Sequence, residues 1–433
     1  MENKFYQKDN NGNLIIGGVL AQDIVAKFKT PLYVMDKNLI ESNILSYVNA
    51  LTNYKAGGII SYASKAFSCK EIYRIAKSLD IAVDVVSMGE IYTALSVGFN
   101  AQKMFFHGNN KTIEELNFAI ENKVGTIVID SLSEINDVND IALKNGVVQN
   151  VMIRVNPGVE AHTHHFIQTA KIDSKFGFSL ENSDALNAIL QIKKSSNLNL
   201  IGCHCHIGSQ IFEKKSFILA AEKMLNFYNS LKTEYNIQFT TLNLGGGFGI
   251  WYAEGDGEMS ASVYSDFIRE ICLFIEQKSL ELGINAPYLV FEPGRSIVGL
   301  AGTTLYTVGR IKEIKGIKNY ASIDGGMFDN PRFALYQAKY TVLAANKLNE
   351  KPTKKYTIAG KCCESGDIIA ENVLLPELKE GDILAVLSTG AYNYSMSSNY
   401  NRNRIPPVVM VKNGVCEYVV KPQTLEDLIR NDV

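Results

Sequence analysis

Eight short β-rich runs recur between residues 58 and 292, and amphipathic helical stretches lie between most of them. The runs cover residues 58–64, 81–87, 103–107, 125–130, 151–156, 200–206, 240–244 and 288–292. The helical stretches cover 69–78, 89–97, 112–121, 131–144, 183–193, 214–235 and 263–282. Neighbouring parallel strands need a long crossover, and a helix between each pair supplies it. Eight such units in about 230 residues predict a closed (β/α)8 barrel of the TIM type.

A barrel of this kind carries its chemistry at the C-terminal ends of its strands. Those ends hold Lys65, Ser87, His107, Asp130, Arg154 with Asn156, His206, the turn Gly245-Gly246-Gly247, and Glu292. Packing alone does not call for polar or glycine residues at so many equivalent ends. Ser87 and Asp130 are expected to cap the helices that follow them.

After Arg295 the texture changes to strand-like runs at 303–308, 355–358, 382–387, 408–412 and 415–420, with few helix signals. Residues 14–18 and 31–34 are strand-like too and precede the first barrel helix, 38–51. The expected organisation is therefore a barrel over 36–295 and a discontinuous, mainly β domain of Greek-key barrel or sandwich type. That domain combines 1–35 with 296–433.

Composition excludes several classes. Of 433 residues, 46% are hydrophobic and 20% charged, and the net charge is −2 with no basic block, so nucleic acid and anionic membranes are not expected partners. No apolar stretch is long enough for a membrane-spanning helix, and the first residues lack the apolar core of a signal peptide. The seven cysteines show no zinc-ligand spacing, and their odd number argues against a disulfide framework. These features predict a cytoplasmic protein.

Two groups far apart in sequence point to one cofactor. Lys65, at the end of a buried strand, is open to desolvation that lowers its pKa and makes it a nucleophile toward a carbonyl. On its own it is more often an ordinary surface lysine. Glu292, in Phe291-Glu292-Pro293-Gly294-Arg295, changes the balance. A lysine to form a Schiff base and a carboxylate to hold a pyridinium nitrogen are two groups a pyridoxal phosphate enzyme requires. The glycine turn, with Ser209, Gly294 and Arg295 at two other strand ends, offers N–H donors and a cation for a phosphate. Neither dinucleotide nor P-loop glycine spacing occurs.

In Gly202-Cys203-His204-Cys205-His206, alternation places both histidines on one face and both cysteines on the other. The cysteines then pack as small hydrophobes, and no metal site is expected. His206 suits stacking on a flat ring, and His204 suits a satisfied core position.

With these residues in view, the chain resembles the diaminopimelate decarboxylases, which belong to the alanine-racemase-fold (fold type III) group of pyridoxal phosphate enzymes. The resemblance covers nearly the whole chain. Tyr62-Ala63-Ser64-Lys65-Ala66, His206-Ile207-Gly208-Ser209-Gln210, the glycine turn and Glu292-Pro293-Gly294-Arg295 resemble cofactor motifs shared with ornithine and arginine decarboxylases. More specific are Arg154-Val155-Asn156-Pro157 with Ala161-His162-Thr163-His164, and Lys175-Phe176-Gly177. Asp329-Asn330-Pro331-Arg332 with Ala334-Leu335-Tyr336, and Cys363-Glu364-Ser365-Gly366-Asp367, are equally specific. Gly390-Ala391-Tyr392 and Ser395-Met396 also match.

The resemblance implies roles. Lys65 carries pyridoxal 5'-phosphate, His206 stacks on its ring and Glu292 holds its nitrogen. Ser209, Gly247, Gly294, Arg295 and Tyr392 surround the phosphate or its approach. Arg295, Arg332 and Tyr336, with Tyr392 beside them, take the substrate's distal carboxylate. Glu364 takes the distal ammonium, and Cys363 returns a proton to the α-carbon. The Cys363–Glu364 pair reaches across a homodimer, so active sites are shared. Three departures stand out: Cys362 beside Cys363, Phe67 in place of a more usual Asn, and residues 399–404. A loop near 166–174 is a candidate for closing over the site.

Three functions follow. The first is decarboxylation of meso-2,6-diaminopimelate to L-lysine and carbon dioxide in lysine biosynthesis. The alternative is a related decarboxylase of ornithine, lysine, arginine or carboxynorspermidine, against which Arg332 with Tyr336 argues, because most of those substrates lack a distal carboxylate. The third is a catalytically dead binding protein, against which the joint presence of Lys65, Glu292, Cys363 and Glu364 argues.

Overall fold

A computed structural model of the chain describes residues 5–159 and 175–433. The Ala161-His162-Thr163-His164 motif and the loop near 166–174 lie outside the described residues. The chain divides into two compact units. One is Asn43–Ile250 with Met259–Ser296, and the other is Met1–Ser42 with Trp251–Glu258 and Ile297–Val433.

The first unit is a closed barrel of eight parallel strands: β1 Gly58–Ala63, β2 Ala82–Val85, β3 Met104–Phe106, β4 Thr126–Ile129, β5 Gln149–Asn156, β6 Leu198–His204, β7 Thr241–Asn243 and β8 Tyr288–Phe291. Each pairs with the next, and β8 returns to β1 through Leu289↔Gly58 and Phe291↔Ile60. Strand residues such as Ile60, Val83, Met104, Ile127, Ile153, Leu242 and Leu289 are buried, as strands covered by helices on the outside require. Each such side chain contributes roughly 1.5–3 kcal/mol of burial.

The helices start and stop where local chemistry directs. Thr112 and Glu115 form a reciprocal capping box before Ile113–Glu121, satisfying two otherwise orphaned N–H groups. Ser87 caps Met88–Leu95 by accepting from the Glu90 N–H at 3.2 Å. Asp130 departs from expectation: the N-cap of Leu132–Lys144 is Ser131, and the Asp130 carboxylate instead accepts the Gly177 N–H at 2.9 Å. That N–H belongs to the short strand Phe178–Ser179's approach, and this strand adds to β5.

One seam of the wall uses a side chain from the outer layer. The Tyr228 hydroxyl, on helix Lys214–Tyr235, accepts the Cys203 N–H at 2.8 Å and donates to the Thr241 carbonyl at 2.6 Å, bridging β6 and β7. Gly202 leaves room for it, because a Cβ there would run into the Thr241 carbonyl.

The second unit is mainly β. Its long strand β9, Gly302–Ile314, pairs antiparallel with Leu32–Asp36, with Lys318–Ile323 and with Ile383–Leu387. Leu32–Asp36 lies parallel to Val408–Lys412, which forms a hairpin with Val415–Val420. Leu14, Ile16, Ile24, Phe28, Leu32 and Val34 share one core with Leu305, Ala385, Val409 and Val411, so the N-terminal segment is built into this unit. Among the described residues, no helix is long and apolar enough to cross a membrane.

Candidate active site

The barrel unit gathers its polar strand ends around one carboxylate. Glu292, immediately after β8, is 5% exposed. Its Oε1 lies 2.9 Å from His107 Nε2 and accepts from Asn243 Nδ2 at 2.6 Å. Its Oε2 lies 3.1 Å from His204 Nε2. Burial alone would raise the Glu292 pKa, but His107 and His204 outweigh it and hold the carboxyl well below its usual range. A buried carboxylate kept ionised in this way suits a partner that carries a positive N–H.

The histidines respond differently. Burial lowers the pKa of His107, yet Glu292 and Asp84 more than compensate and raise it. Burial dominates at His204, whose pKa falls to about 4 despite Glu292. His107, His204 and Glu292 have ligand atoms within 4.8 Å of one another, a spacing a metal ion could also use. Each histidine directs its Nε2 at a different oxygen of Glu292, so the contacts present support that carboxylate.

His206 lies two residues beyond His204. Burial, with Lys65 and Arg154 nearby, keeps its pKa well below the ordinary value, so the ring is neutral. Its Nδ1 accepts the Gly246 N–H at 3.4 Å, a long contact that orients the imidazole toward the glycine turn. In that turn Gly245 and Gly247 have φ of +65° and +109°, and a Cβ on Gly246 would strike the Glu292 carbonyl. The backbone therefore passes close between two other strand ends, as only glycine allows. Arg295, buried, donates from Nη2 to Ser209 Oγ at 3.0 Å, joining two of the residues expected near a phosphate.

Lys65 stands on a 3₁₀ turn, Ser64–Ala66, just past β1. The expected burial does not hold: the turn carries the side chain beyond the strand end, and it is exposed. The turn itself is fixed. The Tyr62 hydroxyl donates to the Phe67 carbonyl at 2.9 Å, and the Phe67 side chain is buried. The departure position thus directly follows the turn that presents the lysine.

Asp84, at the end of β2, is buried, and its Oδ1 has no hydrogen-bond partner among the described residues. The Arg154 guanidinium lies 4.2 Å from the centre of the Phe176 ring. His107 is among the strand ends expected from sequence; Asp84, His204 and Asn243 deepen the site beyond them. All sit at or next to the ends of barrel strands, which was the available signal. Their convergence on Glu292 spans β3, β6, β7 and β8, and no local pattern records it.

The β unit holds the other expected residues. Arg332 is half-buried among aromatic rings, 5.6 Å from those of Tyr252 and Tyr336 and 5.7 Å from that of Tyr392. Its Nε has no hydrogen-bond partner among the described residues. Burial opposes its charge, but Tyr340, Tyr252 and Tyr392 raise its pKa above the ordinary value. Tyr392 has φ of +64°, a costly conformation for a bulky residue. Cys363 and Glu364 are exposed, and Asn401 Oδ1 accepts the Cys363 N–H at 2.9 Å. The departing segment 399–404 thus helps to anchor the cysteine loop.

The residues fit pyridoxal phosphate: an accessible amine, an ionised buried carboxylate, a neutral imidazole and a glycine turn into which a Cβ would intrude. A barrel so equipped, in a chain that also carries a mainly β unit, defines the class of pyridoxal-phosphate-dependent decarboxylases of fold type III. The family model for the pyridoxal-binding domain of pyridoxal-dependent decarboxylases matches residues 38–299. The chain is 47% identical over 427 residues to the diaminopimelate decarboxylase of Bacillus subtilis, covering 99% of this chain and 97% of that one. It is 48% identical over 425 residues to that of Staphylococcus aureus, covering 98% of each. A crystal structure of diaminopimelate decarboxylase from M. jannaschii in co-complex with L-lysine superposes with a TM-score of 0.91 at 34% identity, covering 100% of this chain and 98% of that one. The chain belongs to the diaminopimelate decarboxylases, carboxy-lyases that use pyridoxal phosphate.

Proposed function

We propose the following division of labour for the decarboxylation of meso-2,6-diaminopimelate to L-lysine and carbon dioxide. Pyridoxal 5'-phosphate, when bound, supplies an electron sink for the charge left on the α-carbon. Lys65 holds it covalently and Glu292 keeps its ring nitrogen protonated. His206 covers a ring face. Ser209, Gly247, Gly294, Arg295 and Tyr392 serve the phosphate or its approach.

Arg332 with Tyr336, joined by Arg295 and Tyr392, takes the distal carboxylate, and Glu364 takes the distal ammonium. Each end of a zwitterion needs its own opposite charge, because either left unpaired in a closed site is costly. Cys363 returns a proton to the α-carbon. Burial, then Asp367, pushes the Cys362 thiol up to about 12, which leaves the exposed Cys363 as the better-placed donor of the two.

The observation that carries the substrate assignment is Arg332, a guanidinium with an unpaired Nε set among three tyrosine rings. Ornithine, lysine and arginine offer it no distal carboxylate. The test is a panel of these amino acids, carboxynorspermidine and meso-diaminopimelate, with carbon dioxide release measured and each amine product identified. L-lysine from meso-diaminopimelate alone is expected. Faster release from ornithine or arginine would overturn the assignment.

The protein acts as a cytoplasmic homodimer whose Cys363 and Glu364 serve the partner's active centre. An inactive Lys65→Ala protein mixed with an inactive Cys363→Ala protein should regain activity on subunit exchange. By two-fold symmetry one centre of each mixed dimer collects both lesions and the other neither. About a quarter of all centres are then intact. Exchange confirmed by mass without returning activity would mean that each centre lies within one chain.

A further inference from the structure

Asp367 is 3% exposed and bonds to two chain segments at once. Its Oδ2 accepts the Cys362 N–H at 2.7 Å, and its Oδ1 accepts the Met327 N–H, 40 residues away in sequence, at 2.6 Å. Its own backbone closes the cysteine loop, since its N–H donates to the Glu364 carbonyl at 3.1 Å and its carbonyl accepts the Gly360 N–H at 2.9 Å. The Lys361 N–H adds a second tie, to the Gly325 carbonyl at 3.0 Å.

From Met327 the connection continues to Arg332. The Gly326 carbonyl accepts from the N–H groups of Asp329 and Asn330 at 3.0 and 2.9 Å. The Gly326 N–H donates to Asp329 Oδ2 at 3.0 Å. Pro331 follows as the N-cap of helix Arg332–Tyr336. The space around the carboxylate is reserved by two glycines: a Cβ on Gly326 would lie 2.7 Å from Asp367 Oδ2, and one on Gly360 would meet both carboxylate oxygens more closely still.

We propose that Asp367 is a positioning residue that ties the loop bearing Cys363 and Glu364 to the loop bearing Arg332. This rests on the shared-site reading above. On this proposal the Cys363 loop serves the partner's active centre, as read above, and the Arg332 loop serves its own chain's. One carboxylate therefore sets proton return in one centre and recognition of the distal carboxylate in the other. Aspartate is required because both contacts are N–H donors; an asparagine side chain turns an NH₂ toward one of them.

Mixed dimers test this. In a dimer with one Lys65→Ala chain, isolated through two different affinity tags, only one centre keeps its lysine. Asp367→Asn on the Lys65→Ala chain lies behind the Cys363 loop of that centre, and kcat should fall about tenfold or more with KM little changed. Asp367→Asn on the other chain lies behind the Arg332 loop, and KM for meso-diaminopimelate should rise about tenfold or more. Absorbance of the bound cofactor and the mass of the dimer check that each protein is assembled. If Asp367→Asn does not fold, Gly360→Ala, which crowds the same carboxylate, is placed in the same two positions. An effect from only one placement, or the same loss of kcat and KM from both, overturns the tie. Failure of the Lys65→Ala and Cys363→Ala mixture to regain activity overturns the shared-site reading itself, and the tie with it.

Discussion

Lys111 Nζ lies 2.6 Å from Glu134 Oε1, with the two side chains 1% and 7% exposed. The ammonium also donates to the carbonyls of Gly108 and Val128, at 2.7 and 2.8 Å. Glu134 Oε2 accepts the Asp130 N–H at 2.9 Å. A buried ion pair therefore underpins Asp130, whose carboxylate holds the Gly177 N–H beside Phe176 and Arg154. Burial lowers the Lys111 pKa and raises that of Glu134 even though each opposes the shift in the other.

Removing one partner should strand the other charge in the interior. Lys111→Met or Glu134→Leu is expected to cost about 3–5 kcal/mol, and the double variant should cost less than the sum. Urea unfolding of the four proteins measures this. Single variants as stable as wild type would show that the pair does not carry its share of the barrel.

Glu292→Gln keeps the shape and removes the charge that His107 and His204 sustain. The fall in kcat should be about 100-fold or more, with cofactor still bound. A normal kcat would mean that another group protonates the ring nitrogen.

Lys65→Ala should abolish turnover, and borohydride should no longer fix the cofactor to the chain. Lys65→Arg should not rescue either property, because a guanidinium stays protonated and is a poor nucleophile. Peptide mass mapping of borohydride-treated wild type should locate the cofactor on Lys65. A label elsewhere would move the site.

Asp329 provides a pH signature. It is fully buried, bonded to the Tyr306 hydroxyl and the Gly326 N–H, and burial raises its pKa from 3.8 to about 8. Between those values the folded protein holds a proton that the unfolded chain releases, so its contribution weakens as pH rises from about 4 to 8. The limit for one proton is about 1.4 kcal/mol per pH unit. Asp329→Asn should flatten this slope in urea midpoints taken at pH 5 and pH 8. Parallel slopes in the two proteins would place the titration elsewhere.

Local signals in the sequence carried the barrel well. Residues 214–235 form one helix with the bounds read from their periodicity, ended by Asn236 in a left-handed conformation. The polar strand ends were legible because a barrel has one functional face. Three things were not. The strand Phe178–Ser179 is too short to leave a pattern. Ser131 takes the cap expected of Asp130, because adjacent polar residues differ only in the backbone conformation around them. His204 satisfies the description of a buried, bonded core histidine and also contacts Glu292. Only the closure of β3, β6, β7 and β8 into one ring reveals that second part, and sequence spacing does not encode it.

The Tyr228 hydroxyl between β6 and β7 means that this seam is not a strand-to-strand contact alone. The Cys203 amide is shielded from solvent by a side chain anchored on the outer helix. Its hydrogen exchange should therefore report detachment of that helix as well as parting of the strands. Loosening of the outer layer would remove the bridge at this seam, directly beneath the strand end that carries His204 and His206.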